Sequence, residues 1–134
     1  MIARMLVRAC VVGAALSAGG IAFAQPEGIN HPVFASIRRL IDKGRTWVKI
    51  SGAYMDTKVG PPTYADSTKL AQAFVKLAPQ RMVWGSDWPH PTEKEKPDDA
   101  VLFDLLAEWA PDEAIRQRIL VDNPAALYGF GTTS

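Results

Sequence analysis

The sequence predicts an α/β fold in which parallel strands alternate with helices. Two short apolar runs, Thr46–Ser51 and Arg81–Trp84, have the length and composition of buried strands. A stretch with the apolar spacing of a helix, roughly Tyr64–Leu77, lies between them. The order strand, helix, strand predicts two parallel strands joined by a right-handed crossover.

The first 24 residues differ from the rest in composition. Arg4 and Arg8 give a positive start, a stretch of small and apolar residues follows, and Ala22-Phe23-Ala24 fits a small-x-small cleavage pattern. These features predict a secretory signal peptide over residues 1–24, too short and glycine-rich for a good membrane-spanning helix. The alternative is a tail created by a truncated or rearranged gene. The protein would be secreted or periplasmic if the leader is used, and cytoplasmic otherwise.

The helix before the first strand is predicted at Val33–Lys43, where apolar residues recur at helical spacing and Gly44 is a plausible C-cap. His31 precedes this helix in a loop. As a lone histidine it is expected to be exposed and inert rather than a ligand.

The second strand ends at the stretch with the strongest chemical signal. Pro79 stops the preceding helix, Arg81 opens the strand, and Asp87 follows at its C-terminal tip. Pro89 and Pro91 cannot continue a central strand, because proline has no amide hydrogen to donate. Parallel α/β proteins place their chemistry at this end of the strands.

Three further helices are predicted after Pro91. Asp98 or Asp99 caps the first, and its buried face comprises Val101, Leu102, Leu105, Leu106 and Trp109. Asp112 caps the second, which runs to about Val121. Pro124 suits the first turn of a short terminal helix that Gly129 breaks.

Three segments resemble the amidohydrolase-related (amidohydrolase 2) family of the metal-dependent hydrolase superfamily. They are Trp-Val-Lys-Ile-Ser-Gly-Ala-Tyr at Trp47–Tyr54, Arg-Met-Val-Trp-Gly-Ser-Asp-Trp-Pro-His-Pro at Arg81–Pro91, and Asn-Pro-Ala-Ala-Leu-Tyr-Gly-Phe at Asn123–Phe130. The resemblance runs from about Gln25 to Phe130 and is nearest to the 2-pyrone-4,6-dicarboxylate lactonase-like hydrolases. It implies a partial (β/α)8 TIM barrel, with the last two strands, their helices and the C-terminal helices. A barrel takes roughly 250 residues, so a chain of 134 is expected to hold only the C-terminal portion, over residues 25–134.

The resemblance also implies a chemistry. Asp87 would act as general base or metal ligand while water attacks a lactone, ester or amide-type bond of a small carboxylated substrate. Ser51, Tyr54 and His90 would contact that substrate. The family's metal site draws histidines from earlier strands, so no metal is expected within this chain alone, although complete relatives can hold a divalent metal such as zinc. Two alternatives stay open for Asp87: a strand-end carboxylate that caps local backbone amides, or an aspartate of a decarboxylase from the same superfamily.

Composition limits the partners. The formal charge of +1 is too near neutral to indicate a nucleic-acid partner, and the mature chain has no membrane signal. A small-molecule substrate is expected. The missing strands would leave open barrel edges, which favour self-association. The isolated chain is therefore expected to be an enzyme by resemblance but not competent alone, and an inactive or partner-dependent remnant is the alternative.

Overall fold

The computed structural model describes residues 5–7, 28–55 and 57–130. It contains one parallel sheet of three short strands in the order β1-β2-β3. The strands are β1 at Met5–Val7, β2 at Thr46–Ile50 and β3 at Met82–Trp84. Val48 lies opposite Met82 and Ile50 lies opposite Trp84. The parallel pairing of the two predicted strands is therefore confirmed.

Strand β1 is not predicted by the sequence, because it falls within the expected leader. Met5 lies opposite Thr46 and Val7 lies opposite Val48, so β1 occupies the edge of β2 away from β3. The remainder of residues 1–24 lies outside the described part of the chain. The signal-peptide character of the leader stays a prediction.

The helices begin and end close to their predicted bounds. They are α1 at Pro32–Asp42, α2 at Ala65–Leu77, α3 at Asp99–Trp109, α4 at Glu113–Gln117 and α5 at Asn123–Tyr128. Asp98 caps α3 and Asp112 caps α4, each accepting a backbone N–H at 2.8 Å. His31 is not the inert loop residue that the sequence indicates. It is half-buried and caps α1, because its Nδ1 accepts the Val33 N–H at 3.2 Å.

The C-terminal helices differ from the prediction at their junction. The sequence predicts two separate helices around Pro124, but α4 continues through a π-helical turn at Arg118–Asp122 directly into α5. Proline in an α-helix clashes with the carbonyl four residues before it. The wider π turn, in which the Asn123 N–H donates to the Arg118 carbonyl, makes room for the ring. Gly129 then ends α5 with φ of 76°.

The sheet buries both of its faces. The larger cluster packs α1, α2 and α3 against one face, where Val48, Ile50 and Met82 are fully buried. Successive strand residues point to opposite faces, so Trp47 and Val83 lie on the other face, under Leu127 of α5. By the same alternation, Lys49 points to the same face of the sheet as Trp47. From this face its side chain reaches Asp87.

Asp66 anchors the loop that leads into α2. Its carboxylate accepts hydrogen bonds from the Thr57 hydroxyl at 2.6 Å, the Lys58 N–H at 2.7 Å and the Ser67 N–H at 3.1 Å. Partial burial alone would raise the pKa of Asp66, but these hydrogen bonds together outweigh it and hold the pKa below its usual range.

Among the described helices, none combines the length and apolar character that crossing a bilayer requires.

Candidate functional site

Asp87 lies on a tight turn that follows β3. Its φ is 71° and that of His90 is 54°, both in the left-handed region that non-glycine residues seldom occupy. Two local hydrogen bonds hold this turn: the Trp88 N–H donates to the Ser86 hydroxyl at 3.2 Å, and the His90 N–H donates to the Asp87 carbonyl at 2.9 Å. Such backbone conformations cost about 1–3 kcal/mol and concentrate at functional sites. The turn is thus the first structural sign of a site here.

A chain of hydrogen bonds connects Asp87 to the start of α3. The Tyr54 hydroxyl donates to Asp87 Oδ2 at 3.0 Å. His90 Nδ1 lies 3.2 Å from the same hydroxyl, and His90 Nε2 lies 3.0 Å from Asp99 Oδ1. Tyr54 and His90 are buried, whereas half of the Asp99 side chain is exposed (50%). These hydrogen bonds therefore connect a strand-end carboxylate, through two buried side chains, to a carboxylate in contact with solvent.

Lys49 supplies a positive charge on the other side of Asp87. Its Nζ lies 3.8 Å from Asp87 Oδ1, and the two side chains are 19% and 22% exposed. Gly85 makes this position available, since a Cβ at residue 85 would lie 3.0 Å from Lys49 Nζ and closer still to Cε. The ammonium and the carboxylate attract each other, and partial shielding from water strengthens that attraction.

Gly52 performs a similar role on the β2 side. Its φ is 65°, and a Cβ there would lie 2.9 Å from Met55 Sδ and 3.6 Å from Asp87 Oδ2. A side chain at this position would be strained and would crowd the carboxylate. Glycine therefore lets the backbone after β2 turn so that Tyr54 reaches Asp87.

Lys96 fastens the loop that carries His90. Its Nζ donates to the carbonyl of His90 at 2.8 Å and to that of Glu93 at 2.7 Å. The same loop lies near Tyr64, where burial and, to a smaller extent, the negative charge of Glu93 raise the pKa of the phenol. The loop that carries the His90 ring is thus held by two hydrogen bonds from Lys96 to its backbone carbonyls.

The structure brings Tyr54, Asp87 and His90 together, as expected for residues of one site. Ser51 is buried directly after β2 and so lies at the same end of the strands. Its role as a substrate contact stays a prediction, as do the roles of the other three.

Sequence reasoning missed two members of the site. Lys49 carries a signal, because it is the one charged residue in an otherwise uncharged strand. The sequence offers Asp99 only as a candidate helix cap, a role that Asp98 takes instead. The place of Asp99 beside His90 depends on the path of the loop between them, which the sequence pattern does not encode.

A cavity of about 610 Å³ lies elsewhere, at the N-terminal ends of the strands. Its lining includes Gly44, Arg45, Trp47, Arg81 and Arg118. The guanidinium of Arg81 lies over the Trp47 ring, 4.9 Å from its centroid. In barrel enzymes this end contributes to stability while the opposite end carries the chemistry, so the Asp87 site is the candidate and the cavity is not.

The described residues do not fit a resident metal. No group of three or more histidine, cysteine, aspartate or glutamate side chains in the described ranges is arranged to hold one. Both ring nitrogens of His90 already face other side chains, and Lys49 places a cation beside Asp87. A Zn²⁺ ion takes four ligands in most protein sites, and this donor set does not supply them.

Comparison with known proteins identifies the family. The amidohydrolase family model matches residues 18–130. A 4-sulfomuconolactone hydrolase of Rhizobium radiobacter is 44% identical over 105 residues, covering 76% of this chain and 35% of that protein. A D-galactarolactone isomerase of Agrobacterium fabrum is 43% identical over 102 residues, covering 74% and 35%. A 2-pyrone-4,6-dicarboxylate hydrolase of Comamonas testosteroni is 33% identical over 111 residues, covering 76% and 36%. The chain thus spans about a third of the length of these relatives.

Solved structures agree with this relationship. An apo structure from Agrobacterium tumefaciens matches with a TM-score of 0.69 and 40% identity, over 78% of this chain and 37% of that one. An amidohydrolase from Burkholderia multivorans with bound zinc matches with a TM-score of 0.56 over 72% and 36%; at 22% identity it shows the fold alone. The neighbours are TIM-barrel proteins, and the three-stranded parallel sheet is consistent with a piece of such a barrel. By sequence and by fold, the chain belongs to the amidohydrolase family.

Proposed function

We propose that the chain carries the catalytic strand end of a hydrolase that opens small lactones or related esters. The observation that carries this proposal is the setting of Asp87, a strand-end carboxylate with Tyr54 at one oxygen and Lys49 near the other. The carboxylate is partly exposed, so water can reach it while its orientation stays fixed. The names of the relatives describe lactone hydrolases and a lactone isomerase, which supports this reaction class.

The proposed reaction is general base catalysis by Asp87. Asp87 takes a proton from water as the water oxygen attacks the acyl carbon of the lactone. The ring C–O bond then breaks, and Asp87 returns the proton to the leaving oxygen to give a hydroxy acid. The positive charge of Lys49, 3.8 Å from Asp87 Oδ1, suits a substrate that carries a carboxylate. Ser51, Tyr54 and His90 are proposed to contact that substrate. For His90, whose ring nitrogens face Tyr54 and Asp99, the substrate would take the place of one of these partners.

We also propose that the chain needs additional strands to form a complete active site. Trp88, next to Asp87, is 75% exposed, which is unusual for a large aromatic side chain beside a site. The matched region is only 35% of the length of the Rhizobium relative, and the pocket walls are proposed to come from additional strands of the kind that relative contains. A chain that associates with itself or a partner, or that is inactive alone, is the alternative to an active hydrolase. A decarboxylase is a further variant, with the same carboxylate in the site.

The proposal is tested by incubating the purified chain with small lactones. Hydrolysis is measured as the release of protons into a weak buffer. We expect turnover to be lost in Asp87→Asn and kept in Asp104→Asn, whose carboxylate is exposed on α3. Size-exclusion chromatography of the same samples separates monomer from associated chain. Equal rates for Asp87→Asn and the unsubstituted chain would refute the base assignment. No turnover in any cooperatively folded sample would favour the inactive or partner-dependent alternative.

A further inference from the structure

Three arginines line the cavity at the N-terminal ends of the strands. Arg45 directly precedes β2, Arg81 directly precedes β3, and Arg118 begins the π-helical turn after α4. Asp122 is the one acidic residue among the described residues that line this cavity of about 610 Å³. Arginine stays protonated in proteins, so the lining carries three positive charges against one negative charge. A cleft lined mainly by one sign of charge concentrates ions of the opposite sign.

The guanidinium groups of these arginines have no partner of opposite charge in the part of the chain that the structure describes. The ion pairs found there join Lys49 to Asp87 and His90 to Asp99, and neither includes an arginine or Asp122. The three guanidinium groups also donate no hydrogen bond to any residue within the described ranges. Their N–H donors therefore remain for a ligand.

Arg81 is held in place without the use of these donors. Its guanidinium lies over the ring of the buried Trp47, 4.9 Å from the ring centroid, in a cation–π contact. The five N–H donors of a guanidinium lie in its plane, so a contact through its face leaves them for an oxyanion. Arg81 is also half-buried. Less side-chain entropy therefore remains to be lost when a ligand binds.

The wall of the cavity that carries Arg118 is fixed to the sheet. The side-chain amide of Asn123 donates to the Pro79 carbonyl at 2.7 Å and to the Met82 carbonyl at 2.6 Å. These hydrogen bonds join the end of the π turn to the backbone on both sides of Arg81. Two of the three arginines are thus attached to backbone segments whose relative position is set before any ligand arrives.

We infer that this cavity binds a small anion that carries two or more negative charges on phosphate or carboxylate groups. The paired N–H donors of a guanidinium match the oxygen atoms of both groups. Three arginines and Asp122 leave a net charge of +2 in the lining, which attracts a dianion more strongly than a monoanion. The inference does not rest on the proposed function, because the cavity lies at the opposite end of the strands from Asp87.

Isothermal titration calorimetry of the full-length chain tests the inference. Inorganic phosphate and succinate are separate probes, used at constant ionic strength in mildly alkaline buffer where both are dianions. Binding of either probe supports the inference, and the stronger one identifies the preferred acidic group. We expect Arg81→Gln and Arg118→Gln each to weaken binding roughly tenfold or more, because each removes charge-assisted hydrogen bonds. Asp122→Asn should strengthen binding, because it removes a repelling charge.

Arg38→Gln is the matched control. It removes the same charge from an exposed position on α1 and should leave the affinity unchanged. Circular dichroism melts of the same samples show which variants fold, and Arg118→Gln decides the test if Arg81→Gln does not fold, since Arg118 is exposed.

The inference is overturned if neither probe binds the unsubstituted chain. It is also overturned if Arg118→Gln binds as tightly as the unsubstituted chain, or if Arg38→Gln weakens binding as much as Arg118→Gln does. The last result would show attraction to the net charge of the chain rather than binding in the cavity. Weaker binding by Asp122→Asn would likewise contradict the assigned site. None of these readouts needs lactone hydrolysis, so they stand apart from the proposed function.

Discussion

Asn123 provides the sharpest test of how the C-terminal segment is held. Its side-chain amide donates to the Pro79 carbonyl at 2.7 Å and to the Met82 carbonyl at 2.6 Å, and the residue is 5% exposed. Asn123→Ala removes both donors and leaves a buried acceptor on β3. Each hydrogen bond contributes about 0.5–1.5 kcal/mol net, and an unsatisfied buried acceptor costs more. We expect the free energy of unfolding to fall by about 2–3 kcal/mol.

Urea unfolding monitored by circular dichroism measures this loss. With a slope of about 1–3 kcal/mol per molar urea, the midpoint should fall by roughly 1–2 M. Asn30→Ala is the matched control, because Asn30 is exposed in a short 3₁₀ turn and should change stability by less than about 0.5 kcal/mol. The reasoning fails if the Asn123→Ala midpoint equals that of the control, and a broad transition without a midpoint would show that the chain does not fold cooperatively.

Three other substitutions test separate contacts. Thr68→Val removes the acceptor of the buried Trp109 indole N–H, 3.0 Å away, and should lower stability by about 1–2 kcal/mol in the same urea assay; an unchanged midpoint would contradict the contact. The pKa of the Asp66 carboxyl lies below its ordinary value of 3.8, so its stabilising effect is full above about pH 4 and is lost as pH falls through the folded-state pKa. Asp66→Asn should flatten the acid limb of the melting temperature against pH, and an acid limb of unchanged slope would refute this. Gly85→Ala should displace the flexible Lys49 side chain at a stability cost below about 1 kcal/mol. A nuclear Overhauser spectrum would show this as lost proximity of Lys49 to residue 85, and retained proximity would contradict it.

Much of the fold follows from local pattern. Helices α1, α2 and α3 each have one apolar stripe with punctuating caps or prolines, and β2 and β3 are short apolar runs, so their type and order are predictable. The π turn before Pro124 is not, because it resolves a steric conflict that arises only when two helices merge. Strand β1 is equally hidden, since its pairing with β2 is a long-range contact.

In the candidate site, too, some features follow from local sequence pattern and others depend on long-range contacts. Asp87 is predictable because a carboxylate follows a buried strand and a family resemblance supports its position. The left-handed backbone of Asp87 and the contact of Asp99 with His90 depend on loop geometry. No spacing rule links residues 49, 54, 87 and 99; only the folded loops bring their side chains into one chain of contacts.

The exposure of Trp88 gives the site its own optical reporter. Trp47 and Trp109 are buried, at 6% and 3% exposure, whereas Trp88 is 75% exposed directly after Asp87. Collisional quenchers such as iodide would therefore act mainly on Trp88 fluorescence, less on the half-buried Trp84 and little on the two buried indoles. Anything that covers the strand end, whether a small acid, a second copy or an added stretch of barrel, would shield this indole from the quencher and shift its emission to shorter wavelength.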